Sequence, residues 1–188
     1  DNVTDLNEVD VYHCGKKIIK DEKMEVKPCP PHLKNTVHVS GFSEERLKLK
    51  HSGEKAHVIQ MLEKQIVTKH IIEEVPCAEK DGEKYFESNE EYQKIAVIER
   101  HKNTGKMGVG IVKGYGIRGG AIASSVSHDS HNIIVVGDND HDMALAVKEM
   151  IRTQGGYTLV CNGEIYGTLP LPVMGLMSDA GYESVNEA

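Results

Sequence analysis

The chain of 188 residues has no apolar run near the roughly 20 residues that a membrane-spanning helix needs, and no signal segment is expected. A membrane partner is therefore not expected. Cys14, Cys29, Cys77 and Cys161 are scattered without a C-x-x-C pair, which excludes a zinc knuckle and a dithiol redox motif. They read as reduced thiols of a cytoplasmic protein. Basic charge is also short: 22 Lys and Arg stand against 29 Asp and Glu, a formal net charge of -7. Tracking a nucleic-acid backbone needs clustered cations, so nucleic acid is not an expected partner. No internal repeat or low-complexity segment occurs. The sequence opens on Asp1, inside an acidic stretch and without an initiator Met, which gives the expectation that it is a piece of something longer.

The length suits one ordinary domain with a core of its own, or one domain and a remnant of a neighbour. EVDVYHCGKKII reads as strand, tight turn and strand with Cys14-Gly15 at the turn. An isolated hairpin is marginal in water, so it is expected to belong to a sheet supplied elsewhere. Pro28, Pro30 and Pro31 remove backbone donors from residues 27–36, which are read as a linker. This divides the chain into 1–26, 27–36 and 37–188. Beyond Thr36 the pattern is mainly strand-like, in TVHVSGF, HVIQML, QIVTKHIIEEV and YQKIAVIERH. A single helix over 57–75 is the rival, disfavoured by its density of Ile and Val. SEERLKLKHSG predicts a short helix opening at Ser43 and ending at Gly53.

NDHDMALAVKEMIRTQGG is the clearest helix. Met143, Val147, Met150 and Ile151 fall on one face, Asp138, Asn139 or Asp140 caps the start, and Gly155 suits the C-terminal cap. YTLVCNGEIYGTL follows as a hairpin with Asn162-Gly163 at its turn. The expected class is α+β, with helices packed on a largely antiparallel sheet.

ASSVSHDSHNIIVVG, residues 123–137, is the densest polar cluster. Ser127, His128 and Asp129 carry the letters of a hydrolase triad, but three consecutive residues cannot place the imidazole between the other two. No G-x-S-x-G elbow accompanies them. His128 and His131 can present two imidazoles to a metal, with Asp129 or His141 as further ligands, yet the spacing matches no complete ligand set. The plain alternative is a polar turn, satisfied by Ser124, Ser125, Ser127, Ser130 and Asn132, that enters a buried strand at Ile133–Val136. Asp138, Asp140 and Asp142 echo an EF-hand, but the sixth position is Met143 instead of glycine, and helix capping explains the acids. GVGIVKGYGIRGGA lacks the strand-to-helix context of a phosphate loop and is read as loops permitting close backbone approach. ERH at 99–101 is read as a charged strand end, and EERLK as a solvated helix face.

Taken together, VIERHKNTGKMGVGIVKGYGIRGGAIASSVSHDSHNIIVVGDNDHDMALAV and LPLPVMGLMSD resemble the C-terminal domain of the bacterial adenine deaminases of the amidohydrolase superfamily. The likeness runs from about Val58 to Asp179. EVDVYHCGKKI resembles the end of the small β domain that flanks the amidohydrolase barrel, with Cys-Gly-Lys where Asn-Gly-Lys is common. Ser127 stands where Ala is expected and His141 where an acid is usual. The resemblance implies hydrolysis of adenine to hypoxanthine and ammonia by a metal-activated water. It places the metal, manganese or iron, on a barrel whose H-x-H motif this chain lacks. The chain itself is then expected to hold no metal and to be inactive alone.

On the same resemblance the SHDSHN loop is the part expected to reach the barrel's active site. His128, Asp129 and His131 are the implied catalytic candidates, and Ser127, Ser130 and Asn132 the substrate-binding ones. The implied partners are adenine, the barrel and further copies in a homo-oligomer. A non-catalytic structural or oligomerisation module, and an independent metal-binding domain, are the competing readings.

Overall fold

The computed structural model describes residues 11–18, 28–51 and 53–188. Strands β1 (Val11–His13) and β2 (Lys16–Ile18) form the expected hairpin, with positive φ at both Cys14 and Gly15. It pairs with no other strand among the described residues. The linker segment is less extended than expected: Pro31–Leu33 make one 3-10 turn, and Leu33 accepts a main-chain hydrogen bond from Met174.

Strands follow in the order β3 (Ala56–Met61), β4 (Thr68–Glu73), β5 (Cys77–Lys80), β6 (Glu83–Phe86), β7 (Tyr92–Ile98), β8 (Met107–Lys113), β9 (Gly120–Ser124) and β10 (Ile133–Gly137). Helix α1 (Asp140–Thr153) comes next, then β11 (Gly156–Cys161), β12 (Glu164–Pro170) and a short C-terminal helix α2 (Tyr182–Glu187). Eight strands join in one sheet, ordered β12-β11-β9-β10-β7-β8-β3-β4. Every pairing in it is antiparallel except β3 with β8. The fold is α+β, as the sequence pattern implies, with α1 as the helix on the sheet. The helical rival over 57–75 fails, because β3 and β4 occupy that stretch as a hairpin.

Register decides which side chains share a face. Ala96 and Ile98 of β7, Ala121 and Ala123 of β9, Ile133 and Val135 of β10 and Val160 of β11 meet Met143, Val147 and Met150 of α1 in one buried cluster. These three helix residues have no exposed surface, whereas Ile151 is only half-buried. The remainder of the same face is covered by Val37, Leu47 and the β5–β6 hairpin, whose Phe86 joins Val58, Tyr92 and Ile111. One face of the sheet is thus sealed.

Asn139 caps α1, its side chain accepting from the Asp142 N–H at 2.8 Å. Asp142 is 2% exposed because its carboxylate also accepts from the Gly163 N–H at 2.9 Å, which pins the β11–β12 turn to the helix start. Asp138 accepts from the N–H groups of Gly119 and Gly120. Asp138 and Asp142 therefore hold backbone, while Asp140 pairs with the Lys94 ammonium.

Five readings need correction. SEERLKLKHSG forms only a 3-10 turn at Glu44–Leu47, and Leu47 is fully buried beneath it, so EERLK is no solvated helix face. The left-handed cap of α1 is Gln154, with Gly155 after it; the Gln154 side chain bonds the Val37 N–H and C=O, which fixes that conformation. TVHVSGF lies outside the strands. GVGIVKGYGIRGGA is mostly strand, since β8 and β9 take its two ends, leaving a loop only at 114–119. The β5–β6 hairpin carries its own signal, Asp81-Gly82 with φ of +54° and +76°.

Gly137 sits where α1 crosses β10: a Cβ there would lie 2.5 Å from Met143 Cγ and 2.9 Å from Ala121 Cβ. Gly137→Ala should lower stability by about 1–3 kcal/mol through overpacking, read as a fall in the urea midpoint. Gly167, with nothing within 4 Å of its Cβ position, gives the control: Gly167→Ala should stay within about 0.5 kcal/mol.

Candidate functional site

The turn between β9 and β10 is built from its own polar groups. Ser127 Oγ donates to the Asn132 carbonyl at 2.8 Å, and the His131 N–H donates to the Ser127 carbonyl at 2.6 Å. The Asn132 N–H reaches Ser130 Oγ at 3.4 Å. Closing so tight a loop puts His131 at φ of +50°, a left-handed conformation that non-glycine residues seldom adopt. The His128–Asp129 peptide is cis. Ser125, fully buried, ties the loop base to two other segments, donating to the Gly175 carbonyl at 2.5 Å and accepting from the Gly156 N–H at 2.8 Å.

The six candidate residues divide into an anchor and a tip. Ser127, His131 and Asn132 are half-buried; His128, Asp129 and Ser130 are exposed. The hydroxyls of Ser127 and Ser130 are engaged inside the loop, so both serve its shape. The structure does bring two imidazoles together, His128 and His131 packing edge to face with ring centroids 4.8 Å apart. Nδ1 of His131 and Oδ1 of Asn132 are buried and have no hydrogen-bond partner among the described residues. Asp129 projects from the same tip.

Arg100 holds this arrangement: ERH does follow the end of β7, but its arginine is buried instead of solvated. It is 1% exposed. Its Nε donates to the His131 carbonyl at 2.5 Å, Nη2 to the Met174 carbonyl at 3.0 Å, and Nη1 to the Thr36 carbonyl at 3.5 Å. Three segments distant in sequence are thereby fastened to one guanidinium. Gly175 completes the seat, since a Cβ there would lie 2.8 Å from Nη1. Burial pushes the Arg100 pKa below its ordinary value. The available signal was strand parity: Ala96, Ile98 and Arg100 alternate onto the covered face.

The neighbours of Arg100 shape the next turn. Glu99 accepts from the N–H groups of His101, Lys102 and Thr104 and from the Thr104 hydroxyl. These bonds lower its carboxyl pKa to about 2. The His101 imidazole then reaches the Ser130 carbonyl, Nε2 to oxygen 2.8 Å. Arg100, His101, Ser130 and His131 line a cavity of about 380 Å³ with Met174, and no Asp or Glu lines it.

No group of three or more His, Cys, Asp or Glu among the described residues is placed to hold a metal ion. His128 and His131 supply two ligands where a catalytic zinc-type site draws three from the protein. No helix among the described residues is long and apolar enough to cross a membrane.

An eight-stranded mixed sheet carrying one long helix on one face, with a histidine and aspartate loop clamped at the end of its central strands, defines an α+β domain. The chain belongs to the adenine deaminase C-terminal domain family, whose model matches residues 65–188. It is 47% identical over 175 residues to an adenine deaminase of Desulfitobacterium hafniense, covering 93% of this chain and 30% of that protein. It is 40% identical over 190 residues to one from Nitratidesulfovibrio vulgaris, covering 100% and 32%. With one from Halalkalibacterium halodurans the figures are 42% over 195 residues, 98% and 33%. The chain spans about a third of the length of these curated relatives.

Glu99 supplies a pH test. Its folded pKa lies below the ordinary 4.5, so its stabilising contribution is complete above about 4.5 and is lost as pH falls through about 2. Urea midpoints of Glu99→Gln should fall below those of the wild type at neutral pH. The gap should close progressively as pH drops from about 4.5 toward about 2.

Proposed function

We propose that this chain acts as the C-terminal part of an adenine deaminase, an enzyme that hydrolyses adenine to hypoxanthine and ammonia, with the catalytic barrel contributed by a region outside this sequence. On this reading residues 37–188 form the domain, 27–36 its connector and 1–26 the end of the small β domain. A cytoplasmic location and a homo-oligomeric assembly belong to the same proposal. The observation that carries it is the match over 65–188, which includes the whole loop, together with a loop tip that presents His128 and Asp129 outward on a fixed base.

The chemistry follows from what each group can do. Asp129 is free to accept from a purine N–H or to orient a histidine, and His128 or His131 can carry a proton to or from the reacting purine. Ser127, Ser130 and Asn132 shape the substrate-facing edge. A metal ion, manganese or iron by family resemblance, supplies an activated water when bound. The described residues offer it no complete ligand set, so no step here passes through it. The loop instead covers the barrel mouth and excludes bulk water.

In the longer protein, His128→Ala and Asp129→Ala should each lower turnover about 100-fold or more, the scale of a lost acid or base. Their urea midpoints should barely change, because both side chains are exposed. Near-normal turnover in both variants defeats the catalytic role. The 188-residue chain alone should release no ammonia from adenine; metal-dependent release from it would contradict the division of labour.

A further inference from the structure

The sheet has a second face that the described residues cover only in part: Val112 and Val136 are buried, with Tyr115 of the 114–119 loop beside them, while the rest lies open. By register, Val97 lies opposite Ile134 and Ile95 opposite Val136, Leu159 stands opposite Ile122, and Ile59 opposite Val112. These residues alternate with those packed beneath α1, so they point the other way. Ile59, Val97, Tyr157 and Leu159 remain 41%, 39%, 39% and 45% exposed. Ile59 and Tyr157, with Ile95, Ile122 and Ile134, line an apolar groove of about 460 Å³ on this face, and Val97 and Leu159 lie on the same face outside it.

An antiparallel sheet with one wet face normally alternates apolar and polar residues, whereas an unbroken apolar run marks a strand buried on both sides. Ile133–Val136 of β10 is such a run. Gly108 and Gly110 of β8, on the same face by register with Val97 and Ile95, leave backbone open for close approach.

We infer that this partly open face is the surface on which the remainder of the longer adenine deaminase seats this chain. The inference rests on the proposed function. Three observations favour that occupant over a second copy. Relatives carry this segment as about a third of their length, so most of the polypeptide is available to cover it. The β1–β2 hairpin pairs with no other strand among the described residues, and the same remainder accounts for both. Val126 lines the groove and Ser127 follows it, so seating this face carries the candidate loop to the rim of the contact.

Hydroxyl-radical footprinting tests this by comparing Met61, Tyr157 and Leu159 in the 188-residue chain and in the longer protein. Labelling should fall about fivefold or more in the longer protein, because an interface core excludes solvent. The double variant Val97→Lys, Leu159→Lys should keep the circular dichroism and urea midpoint of the short chain, since both positions are exposed. In the longer protein it should restore labelling and lower turnover. Equal labelling in the two wild-type proteins overturns the inference. So does labelling of the short chain that falls with its own concentration while it sediments as a dimer, which assigns the face to a second copy. An inactive wild-type longer protein with a protected face would instead overturn the functional reading and leave the docking surface standing.

Discussion

A guanidinium buried without a carboxylate partner among the described residues organises this domain. Arg100 gives its protons to three main-chain carbonyls, from Thr36, His131 and Met174. Removing a charge from water costs several kcal/mol, and carbonyl dipoles offset that cost only when they are held in place. The requirement runs both ways: the carbonyls fix the arginine, and the arginine fixes the segments that bear them. The 127–132 loop, the stretch before Val37 and the 173–177 turn converge on one point for this reason. Gly175 is glycine because the guanidinium lies against it.

This clamp explains how a loop dense in hydroxyls and imidazoles can be both tightly folded and open at its tip. Ser127 and Ser130 spend their hydrogen bonds on closure, and His131 accepts a left-handed backbone. His128 and Asp129 are then left exposed on a base that Ser125 and Arg100 hold from below. A catalytic constellation needs this rigidity in its support. Glu99 and His101 extend the same device, one ordering the turn after β7 and the other reaching the Ser130 carbonyl.

Much of the framework was legible from local signals. Asn162-Gly163 and Cys14-Gly15 announced their hairpins, and the spacing of Met143, Val147 and Met150 announced α1 and its buried face. Density of β-branched residues correctly favoured β3 and β4 over a helix. Losses came where tertiary contact overruled local preference: Leu47 is drawn into the core and leaves only a 3-10 turn, and Gln154 takes the left-handed cap because Val37 receives its side chain. At the loop, sequence identified the polar cluster but not its fastening, since the partners of Arg100 lie 31, 64 and 74 residues away. Strand parity held the clue to its burial.

The two faces of the sheet state different requirements. The covered face closes within the chain, through α1, Val37, Leu47 and Phe86. The opposite face keeps Ile59, Val97, Tyr157 and Leu159 partly in water, which hydrophobic burial does not favour. Polar chemistry would be poorly served by an active site on either surface alone. On the proposed function it is better served at their common edge, where an apolar contact would exclude water and the loop beside it would offer imidazole and carboxylate. The position of 127–132, leading directly into a strand that is apolar on both sides, places polar groups at that boundary, with the hydroxyls of Ser127 and Ser130 paired inside the loop and Nδ1 of His131 and Oδ1 of Asn132 buried without a partner among the described residues.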